Sequence, residues 1–175
     1  SCSGNGAMLE VIIEKVFRPL LLGKDPTQIE QLWERSYFGS VVKEFGSRGI
    51  GVVALSGVDI ALWDILGKSK GLPVFELLGG ACRDKVEVYA TALYPEEPAK
   101  VVEKALALAK RGFRAVKIKV GFNLARDIEI VKAVRAALGR DFTIMTDANM
   151  GYTVEVALKA AEAFGECSTA WLEEP

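Results

Sequence analysis

The chain has 175 residues, 22 basic and 23 acidic, for a net charge of −1. Half of it is hydrophobic and the mean hydropathy is slightly positive, a core-forming composition that excludes a disordered chain. The charges are spread evenly, so no basic stripe marks a nucleic-acid interface and no basic amphipathic face marks a membrane surface.

The longest apolar run, Ile50 to Leu66, is interrupted by Asp59 and Asp64 and reads as short for a membrane span. Ser1 to Gly6 has neither the basic nor the apolar region of a signal peptide and reads as a flexible loop. The first methionine is Met8, so the chain is expected to begin inside a gene product. Cys2, Cys82 and Cys167 show no C-x-x-C spacing and read as unpaired thiols of a reducing cytoplasm. Histidine is absent from the sequence, which removes His-activated nucleophiles and His-ligated zinc from this stretch.

Leu9 to Phe17 reads as a short helix. Asp25-Pro26-Thr27-Gln28 supplies a cap, a proline at the first helical position and a glutamine placed to reach back, so a second helix is expected through about Tyr37. After a loop over Gly46 to Gly51, apolar positions recur at 50, 53, 54, 57, 58, 61, 62 and 65, one face of a helix. Leu55, Trp63 and Leu66 add apolar weight on other sides, so this helix is expected to be buried between two layers. Lys68-Ser69-Lys70-Gly71 stops it. Pro73 then opens a single turn closed by Gly79-Gly80.

From Val86 the pattern changes. Strands are expected at Val86–Ala92, Ala115–Val120, Thr143–Asp147 and Thr169–Glu173, with helices at Pro98–Arg111, Asn123–Leu138 and Thr153–Phe164 between them. Such alternation predicts parallel βα units. Helix-ending glycines at Gly112, Gly139 and Gly165 are 27 and 26 residues apart, and strand-ending Lys119, Asp147 and Glu173 are 28 and 26 apart. One unit therefore repeats, and each copy puts a charged side chain at the carboxyl end of its strand. In a (β/α) barrel those ends converge on the active-site face. A doubly wound sheet is the alternative, weakened because no G-x-G-x-x-G follows the first strand.

Lys117 and Lys119 share one face of their strand, and Val116, Ile118 and Val120 the other. A cationic pair on a strand face makes sense where that face lines a polar pocket. Asp147 and Glu173 on neighbouring strand ends suit a hard divalent cation, Mg²⁺ first and Mn²⁺ second. The two ammonium groups disfavour each other's charge and burial adds to this, so a lysine is expected to be poised nearer neutral pH. Metal plus lysine points to abstraction of a proton α to a carboxylate. Each residue alone has a plainer reading: Lys117 and Lys119 as solvated charges, Asp147 as a cap for the following turn, Glu173-Glu174-Pro175 as an ordinary loop.

Lys117-Ile118-Lys119, Met145-Thr146-Asp147-Ala148-Asn149 and Trp171-Leu172-Glu173-Glu174-Pro175 resemble, in order and spacing, the mandelate racemase/muconate lactonizing enzyme family of the enolase superfamily. So does Ser56-Gly57-Val58-Asp59-Ile60-Ala61-Leu62-Trp63-Asp64 with its tail Leu77-Leu78-Gly79-Gly80. The resemblance implies an α/β chain: residues 1–84 the helical part of an α+β capping domain, and residues 85–175 the first four strands of a modified (β/α)₇β TIM barrel. It implies Lys119 as the base, Lys117 as a substrate-carboxylate ligand that tunes its neighbour, and Asp147 and Glu173 as the first two ligands of Mg²⁺. Asn149 would sit near metal or substrate, with Glu174 behind it.

The implied reaction is Mg²⁺-dependent removal of the α-proton of a small carboxylate through an enediolate. Its outcome would be racemisation, epimerisation or acid-sugar dehydration, with muconate-type cycloisomerisation as the alternative. The full-length form is expected to be a cytoplasmic homo-oligomer. The family's third metal ligand and partner acid/base fall beyond Pro175, so this chain by itself is expected to be inactive and to bind Mg²⁺ weakly. A non-catalytic truncated scaffold and a Schiff-base aldolase using Lys117 or Lys119 are the readings from other classes. The aldolase leaves Asp147 and Glu173 unexplained.

Overall fold

The computed structural model describes residues 6–175, and the chain divides into two units, Ser1–Asp84 and Lys85–Pro175. Apart from Gly6, the loop expected at the amino terminus lies outside the described residues.

In the first unit α1 (Gly6–Ile12) passes through a wide π-type turn, Ile13–Phe17, into α2 (Arg18–Leu21). Pro19 has no N–H for the ordinary i→i−4 bond, and the widened turn just before it accommodates that loss. The next helix starts later than expected. The Asp25 carboxylate accepts from the Thr27 N–H at 2.9 Å and from its hydroxyl at 2.7 Å, so it closes a local turn instead of capping a helix. α3 therefore spans Ile29–Ser36. It runs past the expected end at Tyr37, through a second wide turn at Tyr37–Val41, into α4 (Val42–Phe45). The extra residue of that turn carries Phe38-Gly39-Ser40 past a break in periodicity and still buries Val41.

α5 (Ile50–Lys70) ends at Gly71, whose left-handed φ of 67° reverses the chain. Ala54 and Leu55 pack with Leu9, Ile12, Phe17 and Val41, and Leu62 packs with Ile29 and Leu32. Ile60 and Ile65 are exposed, so α5 is buried on one side and not between two layers. At 21 residues it is also longer than the apolar run suggested, and by length and composition alone it could cross a membrane. α6 (Val74–Leu77) is the expected single turn.

In the second unit β1 (Ala90–Leu93), β2 (Ala115–Lys119), β3 (Thr143–Asp147) and β4 (Leu172–Glu173) form a parallel sheet in sequence order. α7 (Pro98–Lys110), α8 (Leu124–Leu138) and α9 (Val154–Glu166) connect them. β1 starts four residues later than expected because Ala90 pairs with Val116. Partners for Val86 to Tyr89 would have to come from Gly112 to Ala115, and all but the last of these form the exit from α7. β4 is shorter than expected, although the Ala170 N–H already donates to the Ile144 carbonyl at 2.7 Å. Gly165 lies inside α9 and does not end it; the left-handed residue is Ser168, at φ 53°.

Val116, Ile118 and Ile144 of the sheet pack with Val101, Ala105, Ile130, Val131, Val134, Ala160 and Phe164 of the helices in one core. Below that core, the Arg135 guanidinium donates only to backbone carbonyls. It reaches Cys167 at 2.7 Å, Gly139 at 2.6 Å, Phe142 at 2.7 Å and Ser168 at 3.2 Å. It thus ties the end of α8 to the start of β3 and to the turn after α9. A lysine cannot span this fork of acceptors. Arg135→Met is expected to lower unfolding stability by about 2–4 kcal/mol, because hydrogen bonds from a charged donor are worth more than neutral ones. A urea midpoint shifted down with an unchanged slope would report it.

Candidate active site

The pleat of β2 sends Val116 and Ile118 into the helix-facing core, where both are fully buried, and turns Lys117 and Lys119 to the opposite face. Parallel register then does the rest. Lys119 pairs with Asp147, and Asp147 pairs with Glu173, so three strand ends set a lysine and two carboxylates in one row.

Lys117 Nζ lies 2.8 Å from Glu173 Oε2 and 3.1 Å from Asp147 Oδ2. Lys119 Nζ lies 2.6 Å from the same Asp147 oxygen and donates to Asn149 Oδ1, also at 2.6 Å. The other Asp147 oxygen accepts from the Asn149 backbone N–H at 3.1 Å. Asp147 therefore caps the turn after its strand, as its plain reading has it, and also pairs with both lysines of the cluster. Asn149 Nδ2 faces Glu174 Oε2 at 3.4 Å. All six residues picked from the sequence, Lys117, Lys119, Asp147, Asn149, Glu173 and Glu174, thus belong to one connected cluster.

The protonation balance differs from the expectation. The hydrogen bond to Glu173 holds the Lys117 ammonium well above the usual lysine range; burial works against it, and Asp147 reinforces it. Two carboxylates outweigh one neighbouring ammonium, which the sequence could not show because it did not place them within 3.1 Å. At Asp147 burial pushes the carboxyl up, but the two ammonium groups and the Asn149 N–H more than offset this and leave it below the usual carboxylate range.

Backbone strain gathers here too. Asn149, Met150 and Glu174 have φ of 47°, 61° and 41°, a left-handed conformation that costs non-glycine residues energy and tends to mark functional loops. It turns Asn149 back toward Lys119.

Several participants were not singled out from the sequence. Tyr89 presents its ring to Lys117 Nζ at 5.7 Å and meets Trp171 edge-on at 6.0 Å. Trp171 Nε1 faces Glu173 Oε2 at 3.4 Å, and strand alternation from Glu173 could have indicated this. Asp127 and Tyr152 lie behind the rim, joined at 2.7 Å. An acid in the first turn of α8 has a ready bland explanation as a helix-dipole charge, so nothing in the sequence distinguished it.

The donor set fits a hard cation. Two carboxylate oxygens converge within 3.1 Å of one cationic atom, Lys117 Nζ, and the nearby Asn149 offers an amide oxygen; this is oxygen chemistry of the kind Mg²⁺ prefers. Among the described residues no group of three or more His, Cys, Asp or Glu side chains could hold a metal, so two carboxylates are what this cluster contributes.

The architecture is a parallel α/β sheet with carboxylates and lysines gathered at its strand ends. Comparisons with known proteins agree with that architecture. Residues 1–79 match the mandelate racemase/muconate lactonizing enzyme N-terminal domain, and residues 100–175 match the enolase C-terminal domain-like family. D-galactarolactone cycloisomerase of Agrobacterium fabrum is 42% identical over 89% of this chain and 42% of its own length. Arabinonate dehydratase of Saccharolobus solfataricus is 40% identical over 95% of this chain and 45% of its own. The crystal structure of a racemase from Streptomyces coelicolor A3(2) with bound magnesium superposes with a TM-score of 0.89 at 37% identity, over 100% of this chain and 52% of that one. The chain belongs to the mandelate racemase/muconate lactonizing enzyme family of the enolase superfamily, with that superfamily's α/β fold. It spans less than half the length of the two curated relatives.

The depressed Asp147 carboxyl predicts acid sensitivity. Its folded-state value is below its unfolded one, so its contribution is full above about pH 4 and is lost as pH falls through the folded value. Without added metal, wild-type stability is expected to drop as pH falls below about 4. The profile of Asp147→Asn should be flatter, measured by urea unfolding from pH 7 to pH 3.

Proposed function

We propose that this chain carries the first half of a Mg²⁺-dependent site that removes the α-proton of an acid sugar or related hydroxy acid. The observation that carries the reading is Lys117 Nζ held at 2.8 and 3.1 Å between the Glu173 and Asp147 carboxylates, with Lys119 Nζ 2.6 Å from Asp147. Asp147 and Glu173 would hold the cation. When bound, Mg²⁺ would withdraw charge from a substrate carboxylate and so acidify the carbon next to it.

The remaining work falls to the chain's own side chains. Lys117, largely buried and firmly protonated, supplies a fixed positive charge for the substrate carboxylate. Lys119 takes the proton. To do so it must meet the substrate as a free amine. Asn149 accepts from Lys119 and so holds the Nζ atom at the rim, and Glu174 holds Asn149 from behind.

The α-carbanion so formed leads to racemisation, epimerisation or dehydration, according to which acid returns a proton or assists a leaving hydroxyl. Dehydration of an acid sugar is supported by the arabinonate dehydratase likeness. Cycloisomerisation is the second reading, favoured by the 42% identity to a cycloisomerase. A closed barrel, a homo-oligomeric full-length form and a cytoplasmic location complete the proposal; the free thiols at Cys82 and Cys167 support the last.

With two carboxylates, the 175-residue chain is expected to bind Mg²⁺ weakly and to lack turnover on its own. Calorimetric titration should show binding that Asp147→Ala removes and Glu173→Ala weakens; identical titrations for all three proteins would overturn the metal assignment. Fusing the chain to the later strands of the arabinonate dehydratase should restore α-hydrogen exchange of acid sugars in D₂O. Lys119→Met in that fusion should then slow exchange by roughly 10²–10⁴-fold, the usual worth of a general base. Full exchange without Lys119 would refute its role.

A further inference from the structure

Asp127 is fully buried and touches neither lysine nor either carboxylate of the rim. Its Oδ2 atom accepts four hydrogen bonds: from the N–H groups of Gly121 at 3.0 Å, Phe122 at 3.2 Å and Asn123 at 3.2 Å, and from the Tyr152 hydroxyl at 2.7 Å. Its Oδ1 atom is buried without a partner among the described residues. A buried carboxylate with one oxygen unsatisfied is costly, and helix α8 would form without it, since Asn123 already caps its first turn through the Arg126 N–H.

What Asp127 adds is a link between two loops. Gly121, Phe122 and Asn123 make up the passage from β2 to α8, which leaves the sheet two residues after Lys119. Three successive N–H groups there form an anion-binding nest, and the chain fills it with its own carboxylate. Tyr152 belongs to the loop from β3 to α9, three residues after Asn149. The two loops also meet backbone to backbone. A Cβ on Gly121 would lie 2.4 Å from the Ala148 carbonyl oxygen, and one on Gly151 would lie 2.4 Å from the Gly121 carbonyl oxygen. Neither loop can shift without displacing the other.

We propose that Asp127 is a positioning residue: by locking the β2–α8 and β3–α9 loops together it sets the placement of Lys119 against Asp147 and Asn149. The inference rests on the reading of Lys119 as base and Asp147 as metal ligand. It adds that their mutual geometry is held from behind by a charge that never meets substrate.

The test uses the 175-residue chain and its Asp127→Asn and Tyr152→Phe variants. Asparagine keeps the shape and one acceptor oxygen but removes the charge; phenylalanine removes one donor and leaves the three backbone donors in place. In ¹H–¹⁵N spectra of folded protein, Asp127→Asn should move the Lys119 backbone amide and the Asn149 side-chain amide as well as the amides of Gly121 to Asn123. Tyr152→Phe should move the same signals by less. Its Mg²⁺ dissociation constant should rise roughly tenfold in Asp127→Asn, the scale on which residues behind metal ligands act.

A folded Asp127→Asn protein in which only residues 121–123 and 152 respond, or in which Mg²⁺ affinity is unchanged, would overturn the proposal. Should Asp127→Asn fail to fold, Tyr152→Phe decides by the same signals: movement at Lys119 and Asn149 upholds the proposal and its absence defeats it. A wild-type chain that binds no Mg²⁺, yet whose Lys119 and Asn149 signals respond to Asp127→Asn, would uphold the positioning role and count against the metal reading alone.

Discussion

The parallel register of β2, β3 and β4 is the constraint on which the site depends. Lys119 opposite Asp147 and Asp147 opposite Glu173 places opposite charges side by side at neighbouring strand ends. Because side chains alternate with a period of two, a slip of one residue in β2 would carry Ile118 to the polar rim and both lysines into the helix-facing core. The core prevents this. Val116, Ile118 and Ile144 are fully buried against the helices, and burying large aliphatic side chains is worth roughly 1.5–3 kcal/mol each. Hydrophobic packing on one face thereby aligns the charges on the other.

The charge cluster shows why such a rim holds together without a ligand. Asp147 and Lys117 are nearly as buried as core residues, and either would be expensive unpaired. Each ammonium instead finds a carboxylate, and Asp147 answers both lysines. The cluster neutralises itself, and in doing so it engages Lys119, the proposed base, with Asp147. The same oxygens that hold the lysines are those suited to a divalent cation, so the ion pairs and the proposed metal site are alternative uses of one set of donors.

Much of this was legible in one dimension. The periodicity of α5, α7, α8 and α9, the period-two pattern of β2 and β3, and the recurrence near 27 residues of a charged strand end are local facts, and the elements formed close to where they predict. The misreadings arise where a residue's partner decides. Val86 to Tyr89 alternate like a strand but face an α7 exit that offers no ladder. Asp25 has the chemistry of a cap and spends it on Thr27. Gly165 falls at the repeat interval, yet α9 continues past it to Glu166.

The sequence by itself determined the fold class and the six charged and amide residues of the rim, because side-chain alternation and repeat length are properties of covalent order, and the resemblance of its motifs determined the family. Tertiary structure decided the charge states and the supports. Lys117 is held protonated by two carboxylates that lie 30 and 56 residues away along the chain, and no neighbour in sequence announces them. Asp127 looks like any acid in a first helical turn until folding wraps three backbone amides and Tyr152 around it. Electrostatic influence falls with distance through space and not along the chain, which is why it becomes readable only once the strands are side by side.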